Sequence, residues 1–276
     1  MTETAKHSLD SASAESPTRP SKISKTQDFR DHDDDDELLE SGVVTKPMSP
    51  NPRLQRYLVA IEYIGTRFSG SQKQLNCRTV VGVLEEAFHK FIGQPVSVSL
   101  SSRTDAGVHA LSNVCHVDVE RISKRKPDEV LPPHEPVVVR RAVNHFLQKN
   151  EGDIMVIDVQ CVPADFHARF KAQERTKHAK FLLDIMISVP SGRLVVSEDL
   201  GFGIRRRHRC FVVTARARSF LYHQVRLLVG VLKSVGTGDL TISDVERVLN
   251  AKSVMAASPM APACGLYLGH VNYDLP

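Results

Sequence analysis

The sequence predicts an α+β fold, sheets with helices packed on one face, from three observations. Six stretches read as strands, the clearest alternating apolar and polar residues with the period of a half-buried strand. Four others carry apolar residues at helical spacing. Capping residues and glycines bracket those helical stretches. With 276 residues, 41% of them hydrophobic, the chain can bury a substantial core as one large or two small domains.

The first strand is Arg56 to Glu62. Thr79 then caps a helix whose Val80, Val83, Leu84, Ala87, Phe88 and Phe91 form one apolar face, and Gly93 ends it. These aromatics are expected in the core. Two strands follow, Val96 to Leu100 and Val114 to Val119. Residues 121–135 are polar and Pro-rich, a loop. Val137 to Leu147 reads as a second helix with Val138, Ala142 and Phe146 on one side, and Asp153 to Val162 as another strand.

Cys210 to Ala217 is strand-like. Phe220 to Val235 is helical, with Leu221, Val225, Leu228, Val229 and Leu232 inward and Gly236 and Gly238 as stops. Thr241-Ile242-Ser243-Asp244 is similar to a capping box with Asp in place of Glu, opening a helix to about Asn250. Leu266 to Tyr273 is the last strand.

Charge is unevenly spread. Residues 1–52 hold 11 acidic and 6 basic side chains, a net of −5, which leaves +9 for residues 53–276. The first segment is rich in Ser, Thr, Pro, Asp and Lys and is expected to be a disordered tail, because it has little apolar surface to offset its ordering entropy. Its acidic run, Asp33 to Glu37, is unlike an organellar transit peptide. The basic remainder suits a polyanion, whose counterions Lys and Arg displace, and equally suits a mildly basic soluble protein. No apolar run approaches the ~18 residues that span a bilayer, and no secretory signal is visible. Cytoplasmic or nuclear location is therefore expected, with an organellar one left open. Five cysteines (Cys77, Cys115, Cys161, Cys210, Cys264) are dispersed without a C-x-x-C pair. That pattern suggests reduced thiols and argues against a structural zinc; no metal is expected.

Ser101-Ser102-Arg103-Thr104-Asp105-Ala106-Gly107-Val108-His109-Ala110 joins two of the strands. Asp before Ala-Gly is ordinary turn chemistry. Loops on a rigid scaffold are also where catalytic groups are displayed. Asp105 is the first candidate for chemistry on that second reading.

The same ten residues resemble the active-site signature of the TruA family of tRNA pseudouridine synthases. Other stretches resemble that family in the same order: Tyr57 to Gly70, Arg78 to Glu85, Phe166-His167-Ala168-Arg169-Phe170, Ser219 to Arg226, and Ala261 to Leu268. The resemblance covers residues 56 to about 176 and about 202 to 276. It implies a pseudouridine synthase fold, two sheet-bearing lobes with a central basic cleft. Its division of the chain is a tail at 1–52, a catalytic lobe at 53–176, an atypical junction at 177–201 and a second lobe at 202–276.

By that resemblance Asp105 is the catalytic residue and Arg226 its cationic partner, since a nearby positive charge favours the ionised carboxylate; without the resemblance Arg226 reads as a solvated helix arginine. Arg103, two residues before Asp105, would help displace or replace the flipped base, or make a phosphate or structural contact. Arg169 would bind phosphate, or snorkel at the edge of a core. Leu266 and Leu268 would line the pocket, and are otherwise plain core residues. The run Arg205-Arg206-Arg207-His208-Arg209, with Arg216 and Arg218, would follow an RNA backbone or be a solvated face. The implied reaction breaks N1–C1′ of a uridine and rejoins the base through C5. It needs no redox change, and no P-loop or dinucleotide motif is present, so no cofactor is expected. Its substrate has to be flipped out of the stack. tRNA is the implied partner, and a homodimer the implied assembly.

Two departures stand out. After Arg175-Thr176 the family carries an R-x-Y-x-Y element whose first tyrosine packs on the target base; here Lys177-His178-Ala179 follows. Lys180 to Leu200 then resembles nothing in the family, and a longer middle segment is missing. A tRNA pseudouridine synthase is expected. The second expectation is a catalytically impaired RNA-binding remnant or splice isoform, and the third a purely structural partner of full-length copies.

Overall fold

Alternation along β1 (Leu54–Tyr63) turns Tyr57, Val59, Ile61 and Tyr63 into the interior, where each is almost fully buried. They pack with Val80, Leu84, Ala87 and Phe88 of α1 (Val80–Ile92) and with Val139, Val143 and Leu147 of α2 (Pro136–Gln148). The description comes from a computed structural model and covers residues 54–123, 126, 129, 131–149, 151–183, 194–198 and 209–275, with side chains 181–210 left aside. All of these belong to one compact unit, Pro50–Pro276. The expected tail and the basic run at 205–208 lie outside the described residues.

The architecture is α+β, built on one eight-stranded mixed sheet. The remaining strands are β2 (Val98–Leu100), β3 (His109–Glu120), β4 (Ile154–Val162), β5 (Ala172–Leu183), β6 (Leu194–Glu198), β7 (Arg209–Ala217) and β8 (Leu266–Tyr273). Their order is β4-β1-β3-β8-β5-β7-β6, with β2 pairing β3 off that path. Every pairing is antiparallel except β3 with β8, a parallel contact of two residue pairs, His109↔Tyr267 and Ala110↔Leu268. Two buried clusters flank that joint. The larger holds β1, β3, β4, α1 and α2, and the smaller gathers Val108, Ala179, Phe211, Val213, Ala215 and Leu266 with Val225 and Val229 of α3 (Gln224–Gly236). Among the described residues no helix is long and apolar enough to cross a membrane.

Local signals act as the sequence implies at several ends. Thr79 accepts a hydrogen bond from Gly82 N, and Gly93 closes α1 at φ 85°. In α4 (Ile242–Ala251) the Thr241–Asp244 capping box is complete despite the shorter acid.

Three elements differ from the sequence reading. The inward face of α2 is Val139, Val143 and Leu147, one residue on from the expected Val138, Ala142 and Phe146; Val138 is exposed. Both sets repeat at i+4, so spacing cannot choose between them. Asn144, beside the buried row, pairs with both N and O of Val156 on β4 and locks the rotation. The helix expected from Phe220 begins only at Gln224, after His223 in the left-handed region, so Leu221 is 73% exposed instead of inward; Leu228 also faces solvent. Finally, β5 and β6 have no counterpart in the expected elements. β5 is a central strand between β8 and β7 that carries Arg175, Lys177 and His178, residues that disguise it.

Two outcomes follow from this frame. Replacing the capping hydroxyl in Thr79→Ala should cost about 1 kcal/mol, read as a lower urea midpoint at unchanged slope. His116 is buried on β3, and its Nδ1 accepts from Ala168 N at 3.2 Å. Burial first, then Arg56 and His167, push its pKa from 6.5 down to about 4, with Asp118 opposing. Between those values the unfolded chain binds a proton that the native one refuses, so stability falls as pH drops from 6.5 towards 4. The urea midpoint should decline across that window, and less steeply in His116→Gln.

Candidate active site

The segment Ser101–Val108 leaves β2 and enters β3 under unusually tight backbone control. Ser101 N donates to Val114 O at 2.7 Å. Beneath it, a buried polar net holds the next residues: Tyr63 Oη and Thr104 Oγ1 are 2.8 Å apart, and Asn113 Nδ2 donates to Tyr63 Oη at 3.2 Å and Ser102 O at 3.0 Å. Ser101 Oγ reaches Asn113 Oδ1 at 3.1 Å. Burial pushes the Tyr63 phenol up to about 12, so it stays a neutral member of the net. From the other side Ser71 brackets Thr104, donating from N to its O at 3.0 Å and accepting its N–H at 2.8 Å. Gly70, at φ +98°, allows that approach, for a Cβ there would sit 3.2 Å from Thr104 O. Val108 N donates to Asp105 O at 3.2 Å. The bend is thus a genuine turn and also a rigid mount for a carboxylate.

Asp105 Oδ2 lies 3.4 Å from Arg226 Nη1 and 3.3 Å from His223 Nε2. Arg226 is aimed by its own surroundings: Nε donates to Ala261 O at 2.8 Å, while Ala261 N donates to Arg226 O at 3.0 Å. His223 caps α3 at φ 57° with its ring stacked on Tyr222, 3.6 Å between centroids. Its pKa is lowered, chiefly by burial and also by Arg226, with Asp105 opposing. At neutral pH the imidazole is therefore mainly uncharged, and Arg226 is the permanent cation on the carboxylate. A carboxylate so placed, partly exposed beside a guanidinium, can act as nucleophile or general base.

Arg175 of β5 ties the surroundings together. This buried guanidinium donates to Ser101 O from Nε at 3.3 Å and Nη2 at 2.8 Å, to Arg169 O at 2.9 Å, and to Arg218 O. Burial lowers its pKa first, with Arg169 and Arg218 adding to that and Tyr273 opposing. One side chain thereby gathers the strand end before Asp105, the F-H-A-R-F turn and the exit of β7.

The other sequence candidates fall in different places. Arg103 is exposed; with its amide oxygen turned to the guanidinium, Gln72 accepts from Arg103 Nε at 2.8 Å and Nη2 at 3.1 Å. Arg169 is exposed, its guanidinium 5.9 Å from the Phe170 ring centre. Arg216 and Arg218 are exposed as well. Leu268 and Leu266 are fully and almost fully buried, one in each cluster, which is core placement. Among the described residues no group of three or more His, Cys, Asp or Glu is placed to hold a metal ion. A cavity of about 490 Å³ opens beside the start of α1, lined by Cys77, Arg78 and Thr79 among others, and shares no residue with the Asp105 surroundings.

Sequence reasoning passed over three side chains here. His223 was visible only as part of a segment, Arg175 only as a landmark before the departure, and Lys177 only as a missing tyrosine. Lys177 is half-buried, its Nζ 4.9 Å from the Phe220 ring centre, and the Asp105 charge acts on it. A run of charged residues in a strand carries no periodic signal that would have marked any of them.

A sequence profile described as tRNA pseudouridine synthase matches the chain twice, over residues 59–171 and 153–274. The tRNA pseudouridine synthase A of Parvibaculum lavamentivorans is 34% identical over 261 aligned positions, covering 80% of this chain and all of that protein. That of Bartonella tribocorum is 32% identical over 260, with the same coverage. Eighty per cent of 276 residues is about 221, so about 39 of those 260 positions stand opposite no residue here. Because the likeness runs through both halves of the sheet and takes in the loop bearing Asp105, the chain belongs to the TruA family of tRNA pseudouridine synthases.

Proposed function

We propose that this chain isomerises uridine to pseudouridine in tRNA, with Asp105 as its catalytic group. The observation that carries the reading is the carboxylate on a braced loop, facing Arg226 at 3.4 Å and His223 at 3.3 Å. Asp105 attacks the extruded nucleoside or takes its proton. Arg226 supplies the compensating charge, and Arg103, Arg169 and Arg218 offer exposed cations to tRNA phosphates. The relatives' shared name, tRNA pseudouridine synthase A, supports the substrate class.

Incubating the protein with unmodified tRNA and mapping pseudouridine tests the proposal. Wild type should form product, Asp105→Ala none above background with tRNA binding kept, and Arg226→Met about a hundredfold less than wild type. Equal product from wild type and Asp105→Ala removes the aspartate from its role.

One observation favours a second reading, an RNA-binding chain without turnover: Lys177 stands where the family has a base-stacking tyrosine, and an aromatic platform is worth ~1–3 kcal/mol per base. It predicts salt-sensitive tRNA binding by wild type with no pseudouridine on any tRNA offered.

A further inference from the structure

Lys177 is more than a lost ring. It sits in the centre of the sheet, between Ala215 of β7 and Leu268 of β8. The register slips at this point: Thr176 pairs with His270 and Lys177 with Leu268, so Gly269 has no partner in the ladder. Such a bulge re-aims the side chains beside it. A Cβ at 269 would come 2.4 Å from the His178 ring, so any larger residue there would have to displace that ring. The ammonium thus emerges under Phe220, from the segment that continues into His223 and Arg226. Burial lowers the Lys177 pKa first and Arg175 adds to this, while the Asp105 carboxylate opposes both. Among the described residues, Arg226 and His223 from the start of α3 are in contact with Asp105, and Lys177 from β5 feels its charge. Arg103 of its own loop is engaged by Gln72.

Resting on the reading of Asp105 above, we infer that Lys177 is a further substrate-contacting residue, whose ammonium stabilises the negative charge that develops on a uracil oxygen during the isomerisation. Two routes lead to that charge. If N1–C1′ breaks with its electron pair left on the base, the uracil anion spreads its charge over O2 and O4, and C1′ is taken up by the carboxylate. If the carboxylate instead adds to C6, the electron pair of C5=C6 moves onto C5 and O4. Either way a carbonyl oxygen becomes a stronger acceptor in the transition state than in the bound uridine. A half-buried cation beside that oxygen lowers the barrier more than it tightens binding. A ring at 177 would offer the base a stacking face; a lysine offers it charge.

Single-turnover rates on unmodified tRNA, measured across tRNA concentration, read the effect. Lys177→Met should lower the rate at saturating tRNA at least tenfold, with half-saturation changed by less than about twofold. Lys177→Arg, which keeps the charge, should recover most of that loss. If Met impairs folding by thermal melting, Lys177→Gln takes its place in the comparison. Lys177→Tyr should fall with Met. A gain over wild type in Lys177→Tyr, or a Met defect confined to half-saturation, overturns the inference. Asp105→Ala run alongside separates the two claims. An inactive Asp105→Ala with an unimpaired Lys177→Met sinks only the lysine, whereas a fully active Asp105→Ala sinks the reading beneath it.

Discussion

The short parallel contact between β3 and β8 is the constraint on which the site depends. Only His109↔Tyr267 and Ala110↔Leu268 pair, reinforced by the His109 and Tyr267 rings stacked 4.7 Å apart. Yet this joint makes one sheet of two halves, and the larger buried cluster reaches across it to Leu268 and Val271 of β8. It begins four residues after Asp105, so the carboxylate arrives from one half and Arg226 and His223 from the other. A shift of even one residue pair here would carry the acid away from its cation, because the bend allows little adjustment of its own.

Rigidity in that bend comes from groups that are costly to bury unless satisfied. Tyr63, Asn113, Ser101, Thr104 and Ser71 all find partners within the net, and among the described residues no buried side-chain polar atom lacks one. Arg175 is the extreme case, a buried guanidinium stabilised by carbonyl dipoles of residues 101, 169 and 218. Removing it would leave those carbonyls without a donor, a larger penalty than the net worth of the bonds themselves. Among the described residues, Arg226 and His223 both converge on the Asp105 carboxylate. That arrangement suits a substrate that is a polyanion.

Much of the α1 half was legible before any coordinates. Thr79 and Gly93 mark helix ends because each satisfies a local backbone need, and alternation in β1 marks the side that buries Tyr57, Val59, Ile61 and Tyr63, whereas residues 113–117 of β3 are buried on both faces. Legibility failed where two patterns were equally periodic, as on α2, and where a strand is central but charged, as in β5. In β5 the buried Arg175 is polar because it braces the loop before Asp105. Local rules are expected to break at such places.

The sequence by itself determined the types of the elements other than β5 and β6, the turn that displays Asp105 and, through the order of its motifs, the family. Those are properties of short segments, set by period, capping and backbone freedom. Tertiary structure alone decided that Arg226 and His223 meet Asp105 across 121 and 118 positions of chain, that Arg175 gathers three loops, and that the Lys177 ammonium lies 4.9 Å from the Phe220 ring centre. Such contacts follow from which strands become neighbours in the sheet, and separation along the chain holds no record of that.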